Sequence, residues 1–369
     1  MNHIPVIALS GGPCAGKSTA ITHLQQRLSD YGFTVITIAE AATEFILAGL
    51  KPGENLLTSE DFQDQLIAYA LAKEDIIKHA AGLLRAKKAV ILCDRGLPDG
   101  AAYLPRRQFE KLLRKHHQTM VEARDGRYDG VIFLHSLAVD KPELYTLANN
   151  TARTETVQQA RQLNQRTLRA WTGHPHLRQI GNEADWDGKL NQILRATCRV
   201  LGIPAPLEIE RKFKVVGFNP KLIPHAVRVH IIQHYLRTAQ SGLLEERIRA
   251  RGQGKNYLYF HTQKQELRKG VRLEHERQIT HDEYLEYRQR LDPVYATIEK
   301  MRYCFPYHGQ YFEFDHYIAP LGFDILEIEL TDENDVVTLP NFLKGKAEEV
   351  TGNSDYSNKS IARQLAKSA

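Results

Sequence analysis

The sequence predicts two folds in tandem: an α/β domain built on a parallel sheet, then a mainly antiparallel eight-stranded β-barrel with short helices. Up to about residue 200, short apolar strands alternate with long helical patterns, as in a parallel sheet covered on both faces. Two prolines in three residues, Pro204 and Pro206, then stop any helix and favour extended chain. Beyond them apolar and charged residues alternate with period two, and helical patterns are short. The boundary is placed between 203 and 204, giving domains 1–203 and 204–369 in a chain of 369 residues.

In the first domain, Pro5 to Leu9, Thr34 to Ile38, Ala89 to Cys93 and Gly130 to Leu134 read as strands. Lys17 to Tyr31, Ser59 to Arg85 and Thr154 to Trp171 read as helices. In the second, His281 to Leu291 and Asn358 to Ala366 are the short helices.

The run from Gly11 to Ser18, GGPCAGKS, fits the phosphate-loop pattern GxxxxGK[ST] between a predicted strand and a predicted helix. Glycines such as Gly11 and Gly16 let backbone N–H groups line a concave loop, and the following helix offers its positive end to phosphate. Lys17 would reach the β- and γ-phosphates of ATP or GTP, Ser18 would bind Mg²⁺, and Thr19 follows in the same turn. Asp94 ends an apolar strand where a parallel sheet opens its ligand crevice, so it could hold Mg²⁺ through water or act as a base. Glu40 points toward the same crevice, with Glu44 one helical turn on. Arg153, Arg161, Arg166 and Arg169 lie on a helix that could close over phosphates, Arg153 being the best placed.

In the second domain Glu208, Glu210 and Lys212 share one strand face. The pattern recurs in Arg247 and Arg249, with Arg251 next in line; in Arg272, Glu274 and Glu276; in Lys300 and Arg302; in Glu313 and Asp315; and in Glu327 and Glu329. Gln233, Tyr235 and Arg237 keep the same parity, and Lys264 ends a further strand. The opposite parity is apolar, as in Phe312, Phe314, Leu326, Ile328 and Leu330, so it packs on something outside the sheet. Closing about eight such strands removes the edges and gathers the charges in one lumen. Basic groups there, Lys212, Arg237, Arg247, Arg249, Lys264, Arg272, Lys300 and Arg302, suit a triphosphate. The acids Glu208, Glu210, Asp315, Glu327 and Glu329, and with them Glu274 and Glu276, imply Mg²⁺ or Mn²⁺ bridging carboxylate to phosphate. A water bound or oriented there could attack the terminal phosphorus, which makes Glu208, Glu210, Lys212, Glu327 and Glu329, with Asp94 in the first domain, the candidate catalytic set.

Residues from Leu207 onward resemble the CYTH, or triphosphate tunnel metalloenzyme, family. Its ExExK hallmark corresponds to Glu208, Glu210 and Lys212, and Arg247, Arg249, Glu274, Glu276, Lys300, Arg302, Asp315, Glu327 and Glu329 follow in family order. The resemblance implies an eight-stranded β-tunnel, metal-dependent hydrolysis of a tri- or polyphosphate, and a terminal helix plugging one end. Residues 4 to 200 resemble the phosphate-loop domains grouped with NadR-type nicotinamide riboside kinases, through Gly11 to Ser18, the Glu40 to Glu44 segment, Cys93-Asp94-Arg95-Gly96 with Asp99, and the arginine-bearing helix. That resemblance implies a nucleotide-binding, kinase-like fold. No [NT]KxD guanine motif lies between the loop and the boundary, so base preference stays open.

Composition bounds the rest. A formal net charge of +5 is mild and suits small polyanions, so nucleic acid is not expected as a partner. The basic run Arg106 to Lys115 could touch an anionic membrane or RNA, but such runs are more often solvated helix faces. Four widely spaced cysteines argue for reduced thiols in a cytoplasmic protein. The apolar stretch Ile4 to Leu9 is too short for a signal-peptide core, and no stretch is long enough to span a membrane. His116, His117, His174 and His176 read as solvated. Three functions compete. One is triphosphate hydrolysis beside a nucleotide-binding domain. Another is a nucleotide-regulated module whose tunnel captures a phosphorylated ligand or lipid head group without cleaving it. The third is a small-molecule kinase whose by-products the tunnel clears.

Overall fold

The computed structural model describes residues 3–54, 56–86, 88–145, 155–203, 210–238, 243–268, 271–331 and 334–368, with backbone alone at 243–244, 265–268, 271–274 and 368. Two compact units result, Met1–Val200 and Leu201–Ala369.

The first unit carries a five-stranded parallel sheet of order β2-β3-β1-β4-β5. Its strands are β1 (Val6–Gly11), β2 (Thr34–Ile38), β3 (Ala89–Asp94), β4 (Gly130–Leu134) and β5 (Leu177–Ile180). The three central strands are buried almost throughout, which is why they read as unbroken apolar runs. Around them lie α1 (Lys17–Asp30), α2 (Ala41–Leu47), α3 (Ser59–Gly82), α4 (Arg106–Lys115), α5 (Leu137–Asp140), α6 (Val157–Trp171) and α7 (Trp186–Val200). Thr58 caps α3, and Thr156 with Gln159 forms a capping box on α6. The last strand β5 and the helix α7 went unread in the sequence. Only four residues long, β5 gives too little alternation to stand out.

The second unit is a nine-stranded sheet of order β10-β9-β8-β7-β11-β12-β13-β6-β14, its pairings antiparallel throughout. Its strands are β6 (Glu210–Val215), β7 (Val227–Tyr235), β8 (Leu243–Gln253), β9 (Asn256–Arg268), β10 (Val271–Ile279), β11 (Ile298–Tyr307), β12 (Gln310–Tyr317), β13 (Asp324–Glu329) and β14 (Ala347–Glu349). The expected eight strands are β6–β13. The ninth, three residues long, pairs with the outer side of β6. Among the described residues no pairing joins β10 to β6 or β14. The short helices are α8 (His281–Tyr287) and α9 (Asn358–Ser368). One face of β6, β11, β12 and β13 packs a core of Phe213, Val215, Tyr303, Phe305, Phe312, Phe314, Leu326 and Ile328. The other face carries the charges. On that face Lys212, Lys300, Arg302 and Asp315 are buried too, as in a sheet curled around its charged side.

Two readings need correction here. Arg237 does not extend β7: the strand stops at Tyr235, Leu236 bridges to Leu291, and the Arg237 N–H donates to the Arg290 carbonyl, which leaves its side chain exposed. Lys264 does not end its strand, since β9 runs on to Arg268.

Candidate functional sites

In the first unit, β1 delivers the chain into the loop Gly11–Gly16, and α1 starts at Lys17. Gly11 has φ 146° and Gly16 φ 84°. A Cβ at Gly11 would collide with the Leu134 carbonyl of β4, and one at Gly16 with the Trp186 ring. Glycine is therefore required at both for backbone reasons and for close approach. Lys17 is buried and its Nζ donates to the Gly11 and Gly12 carbonyls at 3.2 and 3.1 Å. Burial, helped by the nearby Arg95, pulls its pKa down to about 8. Ser18 and Thr19 are exposed at the mouth of the loop.

Facing Lys17 is a charged cluster from the ends of β2 and β3. The Arg95 guanidinium holds Glu40 by Nε and donates through Nη1 to the Gly11 carbonyl and Asp99 Oδ1, at 3.2 and 3.1 Å. Asp99 is fixed in turn by the Ser10 hydroxyl and the Trp171 indole N–H, at 2.7 and 2.9 Å. Burial opposes the Glu40 charge, yet Arg95 and Lys17 outweigh it and hold that carboxyl below its usual range. Asp94 differs: its Oδ1 is buried with no hydrogen-bond partner, and burial raises its pKa despite Lys17 and Arg95. A carboxylate oxygen kept without a donor beside a phosphate loop suits a cation or a substrate proton.

The other expected residues separate. Glu44 turns to Lys73 at 2.6 Å. Arg161 donates to the Ala138 carbonyl, Arg166 and Arg169 are exposed, and Arg153 lies outside the described residues. His174 is fully buried rather than solvated, bonded to the Tyr128 carbonyl at 2.9 Å. Lys189 of α7 was missed. Its buried Nζ donates to the carbonyls of Ala15 and His135 and to Asn182 Oδ1, at 3.2, 3.3 and 2.6 Å, bracing the loop from behind. A lysine inside an amphipathic helix gives no signal that separates this role from a solvated face.

In the second unit, pleat and register bring the expected charges together. Lys212 lies 3.2 Å from Glu210 Oε1 and 3.1 Å from Glu327 Oε1. Glu327 Oε2 accepts from Arg302 Nη2 at 2.8 Å. Arg302 also grips Asp315 through Nε and Nη2, at 2.6 and 2.7 Å, and pairs with Glu313. Lys300 reaches Asp315 Oδ2 at 2.5 Å and Asn358 of α9 at 3.2 Å. Asp315 is 0% and Lys300 2% exposed, so this network sits in protein rather than water. Burial disfavours the Lys212 charge, but Glu327 and Glu210 raise its pKa above the usual lysine value. Burial likewise opposes the Glu327 charge, and Lys212 and Arg302 push its pKa far down.

A second basic group lies on β8. Arg247 pairs with Glu245 at 3.1 Å, and Arg249 with Glu276 of β10, which also accepts from Thr262 at 2.6 Å. Buried Lys264 faces Glu245 and Glu274 across the ladder. Glu208 lies outside the described residues, as do the side chains of Arg272 and Glu274. Glu329 stands directly opposite Glu210 on paired strands. The block of acids extends further than the candidate metal ligands: Glu313 opposes Glu327, its Oε1 is buried without a partner, and burial raises its pKa although Arg302 and Arg251 oppose this.

Comparison with known proteins gives three findings. Residues 6–189 match the family described as AAA domain. Two solved structures are each 30% identical to this chain, with a TM-score of 0.31 and 42% of this chain covered. They are the crystal structure of the hypothetical protein NE1496, 97% covered, and the crystal structure of the inorganic triphosphatase NE1496, 94% covered. No curated protein matches the chain. Among the described residues no helix is long and apolar enough to cross a membrane. With Lys17, Asp94 and the glycine loop placed as above, residues 6–189 form a P-loop-type domain similar to the family described as AAA domain.

Proposed function

We propose that residues 204–369 hydrolyse a triphosphate with the help of a divalent cation, and that residues 1–203 bind ATP or GTP at the phosphate loop, in a cytoplasmic enzyme. The observation that carries this is the buried network Lys212–Glu327–Arg302–Asp315–Lys300 on one face of one sheet. Buried ion pairs add little net stability, because desolvation offsets their attraction. Such a network is best understood as a site whose internal partners are exchanged for ligand. Lys212, Arg247, Arg249, Lys264, Lys300 and Arg302 would then grip the phosphates, with Arg272 completing the set.

The donor chemistry fits a divalent cation. Glu210 and Glu329 are carboxylates directly opposed across paired strands, which puts two hard oxygen donors where one divalent cation could take both. These two, with Glu327, would hold Mg²⁺ or Mn²⁺, and Glu208, Glu274, Glu276 and Asp315 are further candidates. When bound, the ion would supply charge neutralisation and an activated water. Without ligand, no three acidic, histidine or cysteine side chains among the described residues group closely enough to hold an ion. Asp315 and Glu276 in particular are committed to Arg302 and Arg249. That observation favours a second reading, in which the same basic groups capture a phosphorylated ligand or lipid head group without cleaving it. In the first unit, Ser18 and Asp94 would hold Mg²⁺ against the phosphates.

The test is phosphate release from inorganic triphosphate with Mg²⁺, with Mn²⁺ and with chelator. Release in either metal and none in chelator is expected. Tight binding without cleavage in any metal supports the capture module instead.

A further inference from the structure

Trp186, the first residue of α7, stands at the phosphate loop with 43% of its surface exposed. The chain has two tryptophans, and the other, Trp171, is fully buried. The Trp186 ring lies so close over Gly16 that no Cβ could fit there. A single exposed aromatic is ordinary on a protein surface, but one seated on a glycine of a ligand loop offers a flat face on which a ligand ring can lie. The ring is also well fixed. One turn along α7, Lys189 ties the helix to the Ala15 carbonyl of the loop and to Asn182, and Asp185 caps the same helix through the Gly188 N–H at 2.8 Å.

The direction of a bound nucleotide follows from the sheet order. Lys17, which takes the terminal phosphates, faces Asp94, Glu40 and Arg95 at the ends of β3 and β2. Strand β3 flanks β1 on one side, and β4 followed by β5 on the other. A triphosphate whose γ end points to the β3 side must send its nucleoside toward the β4–β5 side. Helix α7 begins there, with five residues between it and the end of β5. Lys141 donates to the Ala184 carbonyl of the connecting loop at 3.4 Å, tying that loop to the end of α5.

We propose that Trp186 is the platform on which the nucleobase of the phosphate-loop ligand stacks, with selectivity for a planar heteroaromatic ring over none. This rests on the nucleotide reading of the loop given above and adds to it the residue that distinguishes a nucleotide from bare triphosphate.

The intact chain offers its own probe, because Trp186 is the half-exposed tryptophan and no tryptophan lies in the second unit. Tryptophan emission is followed while Mg²⁺ with β,γ-imido-ATP, or Mg²⁺ with inorganic triphosphate, is added. The nucleotide should give a saturable change that inorganic triphosphate does not give and that Lys17→Ala abolishes. By calorimetry, taking the component that Lys17→Ala removes, Trp186→Ala should weaken the nucleotide by about tenfold or more. Trp186→Phe keeps an aromatic face and should stay within about threefold of the natural protein. Lys17-dependent binding with unchanged emission, or with unchanged affinity in Trp186→Ala, overturns the platform and leaves the nucleotide reading standing. Absence of any Lys17-dependent nucleotide binding overturns both.

Discussion

Glu327 holds Arg302 through Oε2 at 2.8 Å, while its Oε1 lies 3.1 Å from Lys212. One carboxylate thus occupies two cations that a triphosphate would need. On the proposed reading the acid is an internal stand-in for phosphate before ligand arrives, and a cation that captured it would free both bases at once.

Glu327→Gln should therefore separate binding from turnover. Removing the negative charge leaves Lys212 with Glu210 and Arg302 with Asp315 and Glu313 but takes away the acid they share, so inorganic triphosphate should bind more tightly in chelator, by about tenfold. Hydrolysis with Mg²⁺ should fall by about a hundredfold. Calorimetry in chelator and phosphate release with Mg²⁺ check the two halves. Weaker metal-free binding would show that Glu327 does not compete with the ligand.

Lys17→Ala should abolish nucleotide binding at the phosphate loop while leaving triphosphate hydrolysis within about twofold of the natural protein. No expected ligand of the second site comes from residues 1–203. Nucleotide affinity and phosphate release are measured on the same sample, and unchanged affinity would remove Lys17 from the site.

The Lys17 pKa gives a pH dependence with a definite sign. It is lowered to about 8, from 10.5, chiefly by burial. In the free protein the ammonium is charged below about pH 8 and neutral above it. Nucleotide affinity should hold below pH 8 and fall as pH rises past it, and near pH 9 binding should take up a proton. Titrations in two buffers of different ionisation enthalpy detect that proton. For folding the sign is reversed: the folded pKa lies below the unfolded one, so Lys17 costs stability at neutral pH, and this cost disappears between about pH 8 and 10.5.

The sequence was informative wherever a repeat turned chemistry into geometry. Glu210, Lys212, Lys300, Arg302, Glu313, Asp315 and Glu327 share a face because strand side chains alternate with period two, and no tertiary knowledge is needed to see it. Lys17 and the glycines were equally legible, because the loop binds with its backbone. What stayed hidden depends on packing from elsewhere. Lys189 is decided by where α7 docks, Trp186 by how close that helix comes to Gly16, and His174 by the Tyr128 carbonyl above it. Arg237 failed for the opposite reason: its parity was right, but the chain leaves the sheet two residues earlier.

Asp94 and Glu313 present the same physical situation in different units. Each is a buried carboxyl with one oxygen lacking a donor and a pKa raised chiefly by burial. For an acid with a folded pKa above the unfolded one, folding favours the protonated form. Stability from this source is present at low pH and is lost as pH rises from the unfolded to the folded pKa. At neutral pH both carboxylates are therefore held at a cost, the usual mark of a group retained for chemistry rather than folding. Asp94→Asn should raise the melting temperature by about 2 °C or more while lowering any Mg²⁺-dependent turnover of nucleotide. Glu313→Gln should likewise stabilise the protein while lowering phosphate release from inorganic triphosphate. Thermal melts near pH 4 and at pH 8 provide the control, because the gain over the natural protein should be larger at pH 8. A loss of stability at both pH values would mean that these carboxyls are structural, and would remove them from the two sites.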